Sequence, residues 1–342
     1  MDPSPTHQTP GTVRVAVIGA GAMARRVHYP ALAAMKDVKV VALCDLDEAR
    51  LHQTGDAFGV GGRYTSYRRM VEETAPDAVY IILRPAALYP VVMDILQMRR
   101  HVFIEKPPGL TRGQTKQMAL EAERHGCVTM VGFNRRFIPV LREAKRSLEE
   151  RGPIVHAVVT FYKNAVGEGP PEGGAIDLLT YDAIHAVDTL RWIGGEVTEV
   201  VSDVRALYAE YDNAFTALLR FAGGAVGVLS TMWVAGARIH TFELHSRGAS
   251  AFVDGTEGAR IYAGGTAVYR KDGSGLAAVE PTFLRAGAAA GGDEFFRVYG
   301  YWAESRHFLD CVKAGLQPET NFADALKTMT LVERIYRSQR WP

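Results

Sequence analysis

The chain has 342 residues, and since a single core rarely grows beyond a few hundred, two domains are expected. Apolar residues at 47% and charged residues at 23% exclude a disordered chain as the overall answer. A net charge of +1 gives no reason to expect nucleic acid or an acidic surface as partner, and basic pairs such as Arg25-Arg26 and Arg68-Arg69 read as solvated helix faces.

In chain order, residues 1–12 hold three prolines and no apolar core, which reads as a disordered lead-in rather than a signal peptide or anchor. No apolar run approaches the ~18 residues that a bilayer span needs. Cys44, Cys127 and Cys311 lie far apart without metal-ligand spacing, so reduced, buried thiols, no metal and a cytoplasmic location are expected. Val13–Ile18 and Val38–Cys44 are apolar runs suited to buried strands, with helical spacing between them over Ala22–Met35. Ala78–Leu83 and His101–Ile104 repeat the pattern around a helix at Tyr89–Met98. This rhythm predicts an α/β doubly wound parallel sheet over 13–132. After Gly132 come a charged helix (Arg142–Arg151), a strand (Ile154–Phe161) and a long amphipathic helix (Asp177–Ile193). Strands then follow one another at Val197–Val204, Phe215–Phe221, Ala225–Met232, Ile239–His245, Ala249–Val253 and Arg260–Tyr269. Gly273–Gly292 reads as a loop, and helices at Tyr301–Lys313 and Phe322–Ser338 close the chain. Residues 133–342 are thus expected to form one α+β domain on a mostly antiparallel, open sheet, which binds substrate and assembles the oligomer.

The first strand runs into Gly19-Ala20-Gly21-Ala22-Met23-Ala24, a match to G-x-G-x-x-A opening a helix. Gly19 permits the tight turn, Gly21 lets the backbone approach a pyrophosphate, and Ala24 allows close packing of helix on sheet. Asp45 follows the next strand, 24 positions after Gly21, where a carboxylate hydrogen-bonds ribose hydroxyls and repels a 2′-phosphate. NAD is therefore expected ahead of NADP. Lys106 ends a strand at the same sheet edge, flanked by Glu105 and Pro107. An ammonium there can polarise a reacting oxygen. His185 follows Tyr181 and Asp177 at i, i+4 spacing, with Asp182 and Asp188 three residues away on either side, and a histidine beside a carboxylate can shuttle a proton.

The segments His28-Tyr-Pro-Ala31, His101-Val-Phe-Ile-Glu-Lys-Pro107, Gly132-Phe-Asn-Arg-Arg-Phe137 and His185-Ala-Val-Asp188, with Phe308–Leu326, carry a resemblance over nearly the whole length. The chain resembles the Gfo/Idh/MocA family of oxidoreductases. The resemblance implies a Rossmann domain and an α/β domain whose open sheet face forms oligomer contacts, as dimer or tetramer. It implies NAD-dependent oxidation or reduction of a sugar, polyol or similar hydroxylated small molecule, with no membrane partner. Lys106 would bind the reacting oxygen and His185 would transfer the proton. Arg135, Tyr162 and Asn164 would contact substrate, and Arg84, Pro85 and Glu105 would join the glycine turn in holding the cofactor. Three positions depart from the pattern, among them Tyr89 where the family has histidine. Tyr181 stands where the family commonly has aspartate, so either Tyr181 or Asp182 serves His185. Arg84 stands in place of the usual threonine, where it could bind a phosphate or a substrate carboxylate. Two other readings share these motifs: an NAD-retaining glycoside hydrolase working by transient oxidation, and a dinucleotide-binding sensor without catalysis.

Overall fold

The computed structural model describes residues 11–264 and 280–339. The expected lead-in, apart from Gly11 and Thr12, lies outside the described residues. Two compact units emerge: Met1–Gly132 with Glu304–Leu326, and Phe133–Ala303 with Lys327–Pro342.

The first unit is built on β1 (Val13–Ile18), β2 (Val38–Cys44), β3 (Gly62–Tyr64), β4 (Ala78–Ile81), β5 (His101–Glu105) and β6 (Thr129–Gly132), in the order β3-β2-β1-β4-β5-β6. Every pairing is parallel. The connections are α1 (Tyr29–Ala33), α2 (Glu48–Phe58), α3 (Tyr67–Thr74), α4 (Pro85–Gln97) and α5 (Arg112–His125). β4 and β6 are buried at every position, which is why they read as continuous apolar runs rather than alternating ones. The side chains of Asp47 and Thr111 accept the amides of Arg50 and Gln114 and so start α2 and α5. Because all strands run one way, Gly19, Asp45 and Lys106 emerge at the same edge, with the order reversing beside β1. The helix expected over Ala22–Met35 is shorter: a π-helical turn at Ala24–His28 precedes α1.

The second unit holds α6 (Pro139–Glu149) and α7 (Ile184–Gly194) against one face of an eight-stranded sheet. Its strands are β7 (His156–Asn164), β8 (Val197–Arg205), β9 (Ala214–Phe221), β10 (Val226–Met232), β11 (Val234–Ser246), β12 (Ala249–Asp254), β13 (Gly258–Ala263) and β14 (Thr282–Arg285). They lie in the order β14-β13-β12-β11-β7-β10-β9-β8, antiparallel except for β7 with β10. Burial alternates along β9 and β10, so one face packs and the other stays open. Leu218, Ile239, Phe252 and Phe283 are exposed on that open face. The loop expected at Gly273–Gly292 needs correction: Thr282–Arg285 pair with β13, and Ala286–Ala290 form α8. A free strand edge supplies hydrogen bonds to any backbone, so no side-chain pattern announced β14. Residues 273–279, and 265–269 of the expected sixth strand of this region, lie outside the described residues. A short α9 (Phe295–Val298) leads to α10 (Tyr301–Ala314) and α11 (Phe322–Arg337).

The expectation of one continuous domain over 133–342 also needs correction, because Glu304–Leu326 returns to the first unit. Phe308 packs its ring 5.8 Å from Phe103 and 5.6 Å from Tyr80, which stack on each other at 4.5 Å. Beyond α10 the chain extends β6: Val131 donates its amide to the Thr320 carbonyl at 2.9 Å, and the Thr320 hydroxyl donates to the Val131 carbonyl at 2.9 Å. Gln317 bridges Thr129 and Cys127 beside it. Asp37, between α1 and β2, receives Lys313 and Arg306 from α10. Lys313 first, then a backbone amide and Arg306, hold its carboxyl at about 2 against the opposing effect of burial.

Because that carboxyl titrates lower folded than unfolded, its stabilisation is complete above the unfolded value of about 4 and is lost as pH falls through about 2. Asp37→Asn should lower the thermal midpoint at pH 7 by roughly 1–3 °C, as befits a solvent-screened pair. The gap between variant and wild type should narrow steadily below about pH 4; a gap constant with pH would contradict the assignment.

Candidate active site

At the edge of the first sheet, Gly19 has φ +107° and donates its amide to the Cys44 carbonyl at 2.8 Å. A Cβ at Gly19 would sit 2.2 Å from the Ile82 carbonyl oxygen, so the turn is closed to any other residue. Ala20 donates its amide to Asp45 Oδ2 at 2.8 Å, which ties the glycine turn to the end of β2. Asp45 Oδ1 accepts the Asp47 amide at 2.9 Å and Arg50 Nη2 at 3.0 Å. Burial opposes ionisation of Asp45, but the two amides and the guanidinium outweigh it and hold the carboxyl below its ordinary value. A Cβ on Gly21 would meet nothing within 4 Å, so the backbone there is open to a ligand. Ala22 is exposed and Met23 half-buried beside it. Leu46 is 88% exposed next to Asp45, an apolar surface that the sequence reading passed over. Arg84, exposed, precedes α4, and Pro85 starts that helix. The residues present therefore suit a dinucleotide: amides and a helix start for phosphates, a carboxylate for ribose hydroxyls, and an apolar side chain beside it.

Lys106 is fixed by what lies behind it. The π-helical turn at Ala24–His28 delivers His28 to the interior, where its Nε2 lies 2.7 Å from Glu105 Oε1. Glu105 Oε2 accepts the Lys106 amide at 3.1 Å. Glu105, expected to help hold the cofactor, instead has both carboxylate oxygens engaged within the protein. Glu304 brings a third ligand-type atom within 4.8 Å of these two, the only such grouping found among the described residues. Within it, His28 Nε2 and Glu105 Oε1 are bonded directly to each other. Sequence spacing gave no sign of this cluster, since its members are far apart in the chain.

In the second unit, His185 is 4% exposed near the start of α7. The single helix expected over Asp177–Ile193 is instead a π-helical turn, Leu179–Ala183, followed by α7. Tyr181 donates its amide to the Asp177 carbonyl at 2.9 Å, one helical turn back. Asp177 caps the turn, its carboxylate accepting the Thr180 amide at 2.8 Å and the Tyr336 hydroxyl at 2.9 Å. Asp182 is ion-paired with Lys163 of β7. Asp188 accepts Arg136 Nε at 2.7 Å and Nη2 at 2.5 Å, and the Thr328 hydroxyl at 2.8 Å. That buried pair ties α7 to the turn at Asn134–Phe137.

The candidate substrate contacts divide between the two sides of the sheet. Phe161 and Lys163 share the helix-covered face with His240, while Tyr162 points to the open face and donates its hydroxyl to Ser230 at 3.0 Å. Asn164, exposed at the strand end, lies on the Tyr162 side. The period-two rule placed Lys163, not Tyr162, on the side of α7, and the sequence reading missed it. Arg135 is buried with its Nε 3.4 Å from His240 Nδ1. Thus Lys163, Arg135 and the helix carrying His185 gather on one face, and Tyr162 and Asn164 do not join them.

A model of the "Oxidoreductase family, NAD-binding Rossmann fold" matches residues 13–133, and one of the "GFO/IDH/MocA C-terminal domain" matches residues 150–259. The chain is 28% identical to an uncharacterised oxidoreductase, YrbE, of Bacillus subtilis, over 62% of this chain and 65% of that protein. It is 28% identical to D-apiose dehydrogenase of Paraburkholderia graminis, over 98% of this chain and 90% of the other. Among solved structures, a levoglucosan dehydrogenase in complex with NADH shares the fold at a TM-score of 0.82 and 20% identity, covering 96% of each chain.

Gly19→Ala should force the turn away from β4. Binding of NADH, followed by fluorescence titration, should weaken at least ~10-fold, and the unfolding midpoint should fall by several degrees. Superimposable titration and melting curves would show that the turn tolerates a Cβ.

Proposed function

The chain belongs to the Gfo/Idh/MocA oxidoreductase family, and on that footing we propose that it is an NAD-dependent dehydrogenase or reductase acting on CH–OH groups of a hydroxylated, sugar-like small molecule. The observation that carries this reading is the edge of the first sheet, where Gly19, Asp45 and Lys106 follow parallel strands and Glu105, bonded to buried His28, pins the strand end that bears Lys106. The sugar class is supported by the relatives that act on D-apiose and levoglucosan.

The backbone of Gly19–Met23 would hold the pyrophosphate, Asp45 the adenosine ribose, and Leu46 the adenine. Ionised Asp45, which repels a 2′-phosphate, favours NAD over NADP, and Arg50 is already paired with Asp45 and Asp47. Arg84 and Pro85 line the start of the next helix on the same edge. The cofactor supplies a hydride acceptor or donor at its nicotinamide ring. Lys106 donates a hydrogen bond to the reacting oxygen and stabilises the charge that develops there as the C–H bond breaks. His185 takes the hydroxyl proton on oxidation and returns it on reduction, oriented by Tyr181 or by Asp182 acting through the π-helical turn. Arg135 binds substrate.

Lys106→Met separates chemistry from binding. Nicotinamide absorbance, followed across polyols, aldoses, ketosugars, sugar acids and nucleotide sugars, should show turnover cut by ~10²–10⁴-fold in the variant. NADH should bind the variant as it binds wild type, and NADPH more weakly to both. Undiminished turnover would end the role given to Lys106. Silence of the wild type across the panel, with NADH bound, would turn the reading toward a retained cofactor or a sensor.

We further infer a homo-oligomer, dimer or tetramer, assembled through the open face of the second sheet, because Leu218, Ile239, Phe252 and Phe283 leave apolar surface there without cover. Phe252→Glu should shift sedimentation toward the monomer; a wild type that already sediments as monomer would refute it. Among the described residues no helix is long and apolar enough to cross a membrane, and the three buried free thiols are what a cytoplasmic location would leave.

A further inference from the structure

We propose that the second unit carries a subsite for a negatively charged oxygen group of the substrate, a carboxylate or phosphoryl, formed by Arg135, Arg238 and His240. The proposal rests on the oxidoreductase reading and narrows its substrate from a neutral sugar to an acidic one.

Arg135 is 4% exposed and lies with its Cζ 4.0 Å from the ring centroid of Tyr299. Arg238 comes to the same ring, its Cζ at 5.3 Å and its Nη2 donating to the Tyr299 hydroxyl at 2.8 Å. Lys163 and Arg238 both lie over Phe161, at 5.0 and 5.7 Å, and His240 stacks on that ring at 4.6 Å. Three cations are thus gathered around two aromatic rings and a histidine. The only carboxylate that any of them binds, among the described residues, is Asp182 on Lys163. Neither arginine has an acidic partner there.

The protonation of His240 sharpens the argument. Burial, and then the charges of Arg135, Arg238 and Lys163, push its pKa well below the ordinary value, so the ring is neutral. Its Nδ1 accepts from Arg135 Nε, and a neutral imidazole that accepts at one nitrogen carries its proton on the other. Nε2 is therefore a donor, and it finds no acceptor among the described residues; nor does Arg135 Nη1. Both atoms are fully buried. Two buried donors without acceptors, beside an exposed guanidinium and no carboxylate, lack the same thing: oxygen carrying negative charge. A neutral hydroxyl would satisfy one donor but leave the repulsion among the cations in place. Arg238, the exposed member, is where such a group enters. Through Lys163 and Asp182 the cluster is joined to the turn before His185, so the anion and the proton-transfer group belong to one side of the same sheet.

The test is calorimetric titration of the full-length protein with gluconate, glucuronate, glucose 6-phosphate and glucose, with and without NADH. At least one acid should bind about tenfold or more tightly than glucose, and Arg238→Gln should remove that preference while Arg238→Lys keeps part of it. Preference for the carboxylates or for the phosphate tells which group the site takes. Equal affinity for glucose and its acids, an acid preference untouched in Arg238→Gln, or no binding of any acid at roughly 10 mM would overturn the subsite. NADH is titrated separately on each variant. Failure of NADH to bind the wild type would count against the dehydrogenase reading alone, leaving the acid-over-neutral comparison to decide the subsite.

Discussion

Glu105 is 8% exposed, and a carboxylate in that position is tolerated only if its oxygens are matched within the protein. His28, wholly buried, matches one and the Lys106 amide the other. Much of the first unit is arranged to make this possible. The tight turn at Gly19 starts the descent into the helix, and the π-helical turn brings the imidazole inward at a point where plain helical spacing would place it elsewhere. The ring of Phe103 packs 5.4 Å from His28 and holds it against the sheet. The ammonium of Lys106 is thus presented at the sheet edge by a framework that begins some eighty residues earlier in the chain.

The second unit repeats the device with an arginine as the partner. Arg136 is buried and paired with wholly buried Asp188, which also receives Thr328. Breaking such a pair from one side leaves a bare charge in the interior, at a cost of about 3–5 kcal/mol. The pair locks α7, and hence His185, to the 3₁₀ turn at Asn134–Phe137 and to α11. Lys106 and His185, the groups proposed to react, thus stand one and three residues from the buried carboxylates of Glu105 and Asp188.

The parallel sheet was legible because strands buried on both faces must be apolar throughout, as Val13–Ile18 and Ala78–Ile81 are. The glycine turn and Asp45 were legible because few residue types can do their work. What stayed hidden depended on geometry that sequence spacing does not encode. The π-helical turns at Ala24–His28 and Leu179–Ala183 interrupt segments that periodicity alone reads as plain α-helix. The family resemblance put Tyr162 among the substrate contacts, whereas alternation along β7 sends it to the other side of the sheet and brings Lys163 round. Arg238 and His240 carry no motif at all. β14 was invisible because an edge strand can be held by backbone alone, and Glu304–Leu326 was misassigned because nothing local says which sheet a late helix will join.

That late segment also governs the order of synthesis. β6 finds the hydrogen-bonding partner for Val131 at Thr320, and Phe308 fills the space over Tyr80 and Phe103. A ribosome that has emitted the first six strands has therefore not yet delivered the residues that finish their core. Phe133–Ala303, the greater part of the second unit, must leave the exit tunnel before the first can close, so a nascent chain carries an unfinished sheet, with one edge unpaired and aromatic surface bare, for most of its translation.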